Sequence, residues 1–167
     1  MMALPPVFVG LLLYILFSQT GPLGFLDILY TPSIMIIAQI IIILPIIISV
    51  STELLQQMFD EYKEMFDTFE VHLISRIRTT VFDARISLVT CILTGLGRAL
   101  SEVGAIIIVG GNIVHYTRVM TTTIALETSK GNLSMAMSLG IVLIIIAIAL
   151  NAIVMVMKTI SRKNSYD

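Results

Sequence analysis

Long runs of apolar residues alternate with polar stretches along this chain, and four of the runs approach the length of a membrane crossing. About 20 apolar residues in helical form span the roughly 30 Å of hydrocarbon in a bilayer, whereas helices buried in soluble cores carry shorter runs. The runs occupy residues 3–18, about 33–50, about 86–111 and 133–157. The first is short, reaching only about 24 Å at 1.5 Å per residue. It stops before "QTGPLG", where Gly21, Pro22 and Gly24 break a helix. The second contains Pro45, which removes a backbone donor and predicts a kink that a membrane bundle tolerates. No repeat or second domain interrupts the pattern. Residues 1–167 therefore read as one all-α, polytopic membrane bundle of four spanning helices.

Between the second and third runs the period changes. Leu55, Met58, Phe59, Tyr62, Met65, Phe66 and Phe69 recur at the spacing of an amphipathic helix, and Val71, Ile74, Ile77 and Val81 make a second, shorter stripe with Arg76 and Arg78 off it. This predicts two short helices joined near Glu70. They form a docking surface for a partner or pack beneath the chain's own bundle, and periodicity alone leaves both open.

The third run carries two stripes. Ser87, Thr90, Thr94, Arg98 and Ser101 with Glu102 recur on one helical face, and Val89, Leu93, Leu96, Leu100, Val103 and Ile107 form an offset apolar one. A charge at membrane depth needs a partner or water, so the polar face is expected to look into a bundle or onto a wet path. Thr90, Thr94, Arg98, Ser101 and Glu102 are accordingly the candidate translocation path or gate. Arg98 and Glu102, four apart, form either a structural ion pair or part of an anion pathway. Gly97, Ser101 and Ala105 add a small-residue ridge suited to close helix approach. Gln39 and Asn151 read as hydrogen-bonding contacts between helices in preference to substrate contacts, and the hydroxyl-rich stretch around Arg118, whose groups would also suit an oxyanion, as a wet loop.

Composition agrees with a bilayer: 57% of residues are hydrophobic and 13% charged, with a mean hydropathy of +0.99. The net charge of -1 gives no support for nucleic-acid binding. Lone Cys91 supports neither an internal disulfide nor a metal cluster, and His72 and His115 suggest no ligand set. The N-terminus lacks the basic start and cleavage site of a signal peptide. No nucleotide-binding loop, serine triad or H-E-x-x-H motif occurs, so no cofactor is expected and the chain is not expected to be an enzyme. Lys63, Arg76, Arg78, Arg85, Lys158, Arg162 and Lys163 fall on one side of the predicted spans, against Arg118 and Lys130 on the other. That bias predicts a cytoplasmic 53–85 segment and cytoplasmic termini.

Four ordered stretches carry a family resemblance over nearly the whole chain: "LPPVFVGLLLY" (4–14), "GPLG" (21–24), "GRALSEVGAIIIVGGNI" (97–113) and "TRVMTTTIALETSKG" (117–131). Together they resemble the membrane permease of tungstate-type ABC importers, kin of the molybdate and sulfate permeases. The resemblance implies a lipid-embedded homodimer in the plasma membrane, two cytoplasmic ABC ATPase subunits and an extracellular oxyanion-binding protein. It implies coupling to the ATPase through residues 61–84, with Tyr62, Phe66, Phe69, Glu70, His72, Arg76 and Arg78 as candidates.

The sequence departs from the family pattern in two places. Glu70 stands where the loop glycine is expected, with Met65 and Phe66 in place of small alanines. Family members also carry further helices before the stretch resembling "LPPVFVG", so an N-terminally short member is expected. The expected cargo is tungstate, with molybdate or sulfate as alternatives; a truncated, non-transporting membrane scaffold is the rival, and a channel is disfavoured by the docking-like loop.

Overall fold

A computed structural model describes residues 5–163, and every regular element within them is helical. The first residues of the run expected from residue 3, and both chain ends, lie outside the described residues. Helix α1 covers Pro6–Phe17, with Pro6 in its first turn, where a missing N–H costs nothing. A short 3-10 turn at Gly24–Leu26 leads to α2, Pro32–Thr68, and then α3, Leu73–Ser101. A break separates α3 from α4, Gly104–Gly110. Helices α5, Met120–Ser129, and α6, Leu133–Lys163, complete the chain.

Among the described residues, three helices are long and apolar enough to cross a membrane: α2, α3 and α6. Helix α1 is apolar but has only 12 residues. The two short helices expected between the second and third runs are not separate elements. They are the far ends of α2 and α3, which run 37 and 29 residues without a break and form one hairpin. Its antiparallel register shows in its contacts: Gly95 lies against Ile43 and Ile47, and at the tip Arg76 meets Phe66. Pro45 sits within α2 without ending it.

The predicted third span is interrupted. Helix α3 stops at Ser101, Glu102 is extended (φ -81, ψ 120), and the remaining apolar turns form the separate α4. Helix α4 packs against α1 and α2, so the core is built by Val9 and Leu13 of α1, Ile34, Met35, Ala38 and Ile42 of α2, and Ala105, Ile106 and Val109 of α4. Helices α1 and α4 cross closely: a Cβ on Gly10 would lie 2.8 Å from the Ala105 Cα. The break also divides the expected small-residue ridge: Ala105 is buried in this crossing, Ser101 is exposed, and a Cβ on Gly97 would touch nothing.

Candidate functional sites

The break between α3 and α4 places Arg98 and Glu102 at two opposed helix ends. Arg98 lies in the last turn of α3, where backbone carbonyls favour a cation. Glu102 precedes α4, and its Oε1 accepts the Ala105 N–H at 3.5 Å, where free helical N–H groups favour an anion. The two side chains approach at 3.7 Å, a loose ion pair. Their surroundings differ sharply: the Arg98 side chain is 44% exposed and that of Glu102 only 7%. Glu102 is thus held by the fold, whereas Arg98 reaches outward and makes no hydrogen bond from its guanidinium within the described residues.

Thr90, Thr94 and Ser101 turn their hydroxyls back onto their own helix, to the carbonyls of Ile86, Thr90 and Arg98 at 3.4, 3.1 and 2.9 Å. Thr90 is half-buried, and Thr94, Arg98 and Ser101 are exposed. The polar stripe therefore lies on the outer face of this single chain, not in its interior. Among the described residues the guanidinium is its one charged group that makes no hydrogen bond.

The hairpin tip is a second organised site. Helix α2 ends with the Val71 N–H donating to the Phe66 carbonyl at 3.0 Å and the Glu70 N–H to that of Asp67 at 3.4 Å, the paired bonds of a Schellman cap. This cap requires a left-handed residue, and Glu70 supplies it at φ 47. Arg76 clasps the same turn: Nε donates to the Val71 carbonyl at 2.7 Å, one terminal nitrogen to the Phe66 carbonyl at 3.1 Å, and the other to Asp67 Oδ1 at 2.6 Å. Its guanidinium also lies 5.7 Å from the centre of the Phe66 ring. Phe66 is 2% exposed and packs edge-on against Tyr62 at 5.8 Å, while burial and the facing Asp83 carboxylate hold the Tyr62 phenol above its usual range.

Phe69 is 74% exposed, and Met65, Leu73, Ile74 and Ile77 are exposed beside it in the chain. The most buried positions of α3 here are Arg76, Thr80 and Ala84, while of the expected second stripe Ile74 is exposed and Ile77 and Val81 are partly exposed along the groove between α2 and α3. His72 is the exposed residue before α3, caps nothing through its side chain, and Arg78 is exposed. The Glu70→Gly variant is expected to be more stable by about 1 kcal/mol, because a left-handed backbone costs a side-chain-bearing residue that much. A rise of about 3 °C in the unfolding midpoint in detergent would register it; no rise would mean that the turn carries no strain.

Named relatives match most of the chain. Over 154 residues, 92% of this chain and 68% of the relative, the sequence is 40% identical to the tungstate uptake system permease protein TupB of Peptoclostridium acidaminophilum. The chain belongs to the tungstate and anion ABC-transporter permease family. The permease is also 38% identical over 157 residues to TupB of Campylobacter jejuni, covering 94% of this chain and 66% of that one. It is 37% identical over 157 residues to a probable anion ABC transporter permease of Haloferax volcanii, covering 91% and 68%. The chain thus spans about two thirds of the length of these relatives. No family model and no solved structure matches it. As a permease-type membrane subunit it is not itself an enzyme.

The permease holds a third polar cluster that periodicity did not reveal. After α4, Gly111 and Asn112 both take left-handed backbone angles. Asn112 Oδ1 accepts bonds from Thr122 at 2.9 Å and Arg118 Nε at 3.3 Å, while buried Thr117 donates to the Gly110 carbonyl and accepts the Ile113 N–H. What reads in sequence as a wet loop is therefore a cross-braced connection. The Gly-Gly-Asn signal for a helix end was available, but its long-range partners at 117–122 were not. Glu127 closes the next turn, bonded to Lys130 Nζ at 2.8 Å and Asn132 Nδ2 at 3.1 Å. The Lys130 bond, and then that from Asn132, hold its carboxyl below the usual range against the opposing effect of burial. The stability it adds is present above the ordinary carboxylate pKa and is lost as pH falls through the lowered value.

Proposed function

We propose that this chain is the membrane-spanning subunit of an ABC importer that takes up tungstate. In this reading two copies form the pathway in the plasma membrane, separate cytoplasmic ATPase subunits supply the energy, and an extracellular binding protein delivers the anion. The hairpin tip and both termini face the cytoplasm. The observation that carries the reading is the outward-facing row of Thr94, Arg98 and Ser101 on a helix otherwise suited to lipid. An arginine facing hydrocarbon is costly, so this face is matched to a second copy across a wet path, where a guanidinium attracts an oxyanion.

The relatives' names supply the cargo, and the exposed apolar tip at Phe69, Leu73 and Ile74 supplies a surface for the ATPase. Uptake of tungstate, with molybdate and sulfate as competitors, tests this in cells lacking other carriers for these anions. Import of tungstate is expected; an assembled chain that moves none of the three would favour a scaffold.

Coupling is tested at Phe69 in preference to Phe66. Phe69→Asp alters an exposed side chain and is expected to lower uptake at least ten-fold with unchanged membrane abundance. Phe66→Asp buries a charge inside the hairpin and is expected to destabilise the tip itself. Normal uptake by Phe69→Asp would remove the tip from the coupling path.

A further inference from the structure

A cavity of about 370 Å³ lies where the outer half of α2, the end of α3, α4 and the first turn of α5 meet, with Leu143 of α6 on its wall. Its size falls within the range of small-ligand sites. Most of the lining is apolar, including Met35, Ile36, Leu100 and Ile106; its polar side chains are Gln39, Thr117, Thr121 and the largely exposed Tyr116. The Gln39 side chain, expected to bond a neighbouring helix, makes no hydrogen bond and lines this space. So does Thr121. Of the threonines at 117, 121, 122 and 123, the other three use their hydroxyls within the α4–α5 connection, and only that of Thr121 is uncommitted.

An amide and a hydroxyl from separate helices, half-buried in one apolar cavity and unpaired there, are held ready for a ligand that accepts hydrogen bonds. We infer that the cavity is a transit subsite for a tetrahedral oxyanion, with Gln39 Nε2 and Thr121 Oγ1 as neutral donors. The inference rests on the oxyanion-permease reading and refines it. Neutral donors suit passage: in a low-dielectric cavity each bond is strong, yet without a full positive charge the dianion is not trapped. Ala99 and Leu100 on the cavity wall follow Arg98 in α3, whose own side chain is not part of the lining. The volume leaves space for the anion together with part of its hydration water.

The test uses the full importer in proteoliposomes with saturating, tungstate-loaded binding protein. Thr121→Val keeps the shape and removes the hydroxyl, and Gln39→Met does the same for the amide. Each is expected to lower the maximal transport rate about ten-fold while ATP hydrolysis stimulated by the binding protein stays near that of the parent. Thr121→Ser is expected to restore transport. Unchanged transport by both variants would overturn the subsite while leaving the importer reading intact, and a parent importer moving no oxyanion would overturn both. Failure of Thr121→Ser to rescue, or parallel loss of hydrolysis and transport, would assign these residues to packing and also overturn the subsite.

Discussion

Gly10→Val is expected to remove most of the folded protein from the membrane. Helices α1 and α4 cross with Gly10 directly over the Ala105 backbone, and even a Cβ would sit 2.8 Å from the Ala105 Cα. Backbone cannot swing aside as a side-chain tip can, so the branched side chain forces the helices apart. Separation exposes Val9, Leu13, Ala105, Ile106 and Val109, the centre of the core. Overpacking of this kind costs about 3 kcal/mol or more, a large share of the stability of a domain this size. Gly140→Ala serves as the control, because a Cβ there meets nothing within 4 Å. Fluorescence-detected size exclusion after mild detergent extraction checks both; a normal monodisperse peak for Gly10→Val would refute the crossing. Removing the Ala105 methyl is expected to rescue only in part, since the clash is with the main chain.

The second large effect is expected at Arg98. Arg98→Gln should cut oxyanion uptake about a hundred-fold, the loss of a charge-assisted hydrogen bond of up to about 3 kcal/mol. Its effect on stability should be small, because a pair 3.7 Å apart with one member 44% exposed contributes little to folding. Glu102→Gln keeps an oxygen to accept the Ala105 N–H and is expected to retain the fold and more of the activity. The double variant separates the two roles left open by the sequence. Uptake restored in Arg98→Gln/Glu102→Gln would make the pair structural, since removing both charges relieves a stranded partner. Uptake that stays at the level of Arg98→Gln assigns the guanidinium to the anion.

The spanning runs were legible because hydrocarbon imposes length and apolarity on any helix in it, and the all-helical class followed. The polar stripe at Thr90, Thr94 and Arg98 was legible by period, but its direction was not: periodicity defines a face without saying what covers it. The break after Ser101 escaped because the helical spacing of apolar residues continues through Val103 and Ile107, past a Glu102 whose backbone is extended and whose side chain is held at the start of α4. The two short helices were misjudged for a related reason. A change from an apolar run to an amphipathic stripe marks where surroundings change, and α2 and α3 pass through that boundary without changing conformation. Arg76 stood off the stripe in the sequence pattern, yet its fork matches the carbonyls of the cap. The departure at Glu70 falls where the turn requires the left-handed angle that glycine adopts most readily, and the turn forms with glutamate there.

The unbroken course of α2 has a mechanical consequence. Its 37 residues make a rod about 55 Å long. The rod rests on α3 where Ile43 and Ile47 lie against Gly95, and this contact around Pro45 acts as its fulcrum. It divides α2 into arms of roughly 20 and 35 Å. Pivoting there, a lever of these proportions moves its outer end by about 0.6 Å for each ångström at the tip, in the opposite direction. A push on the Phe69 turn is thereby geared down in distance and up in force at Ile34 and Met35, where α2 grips α4.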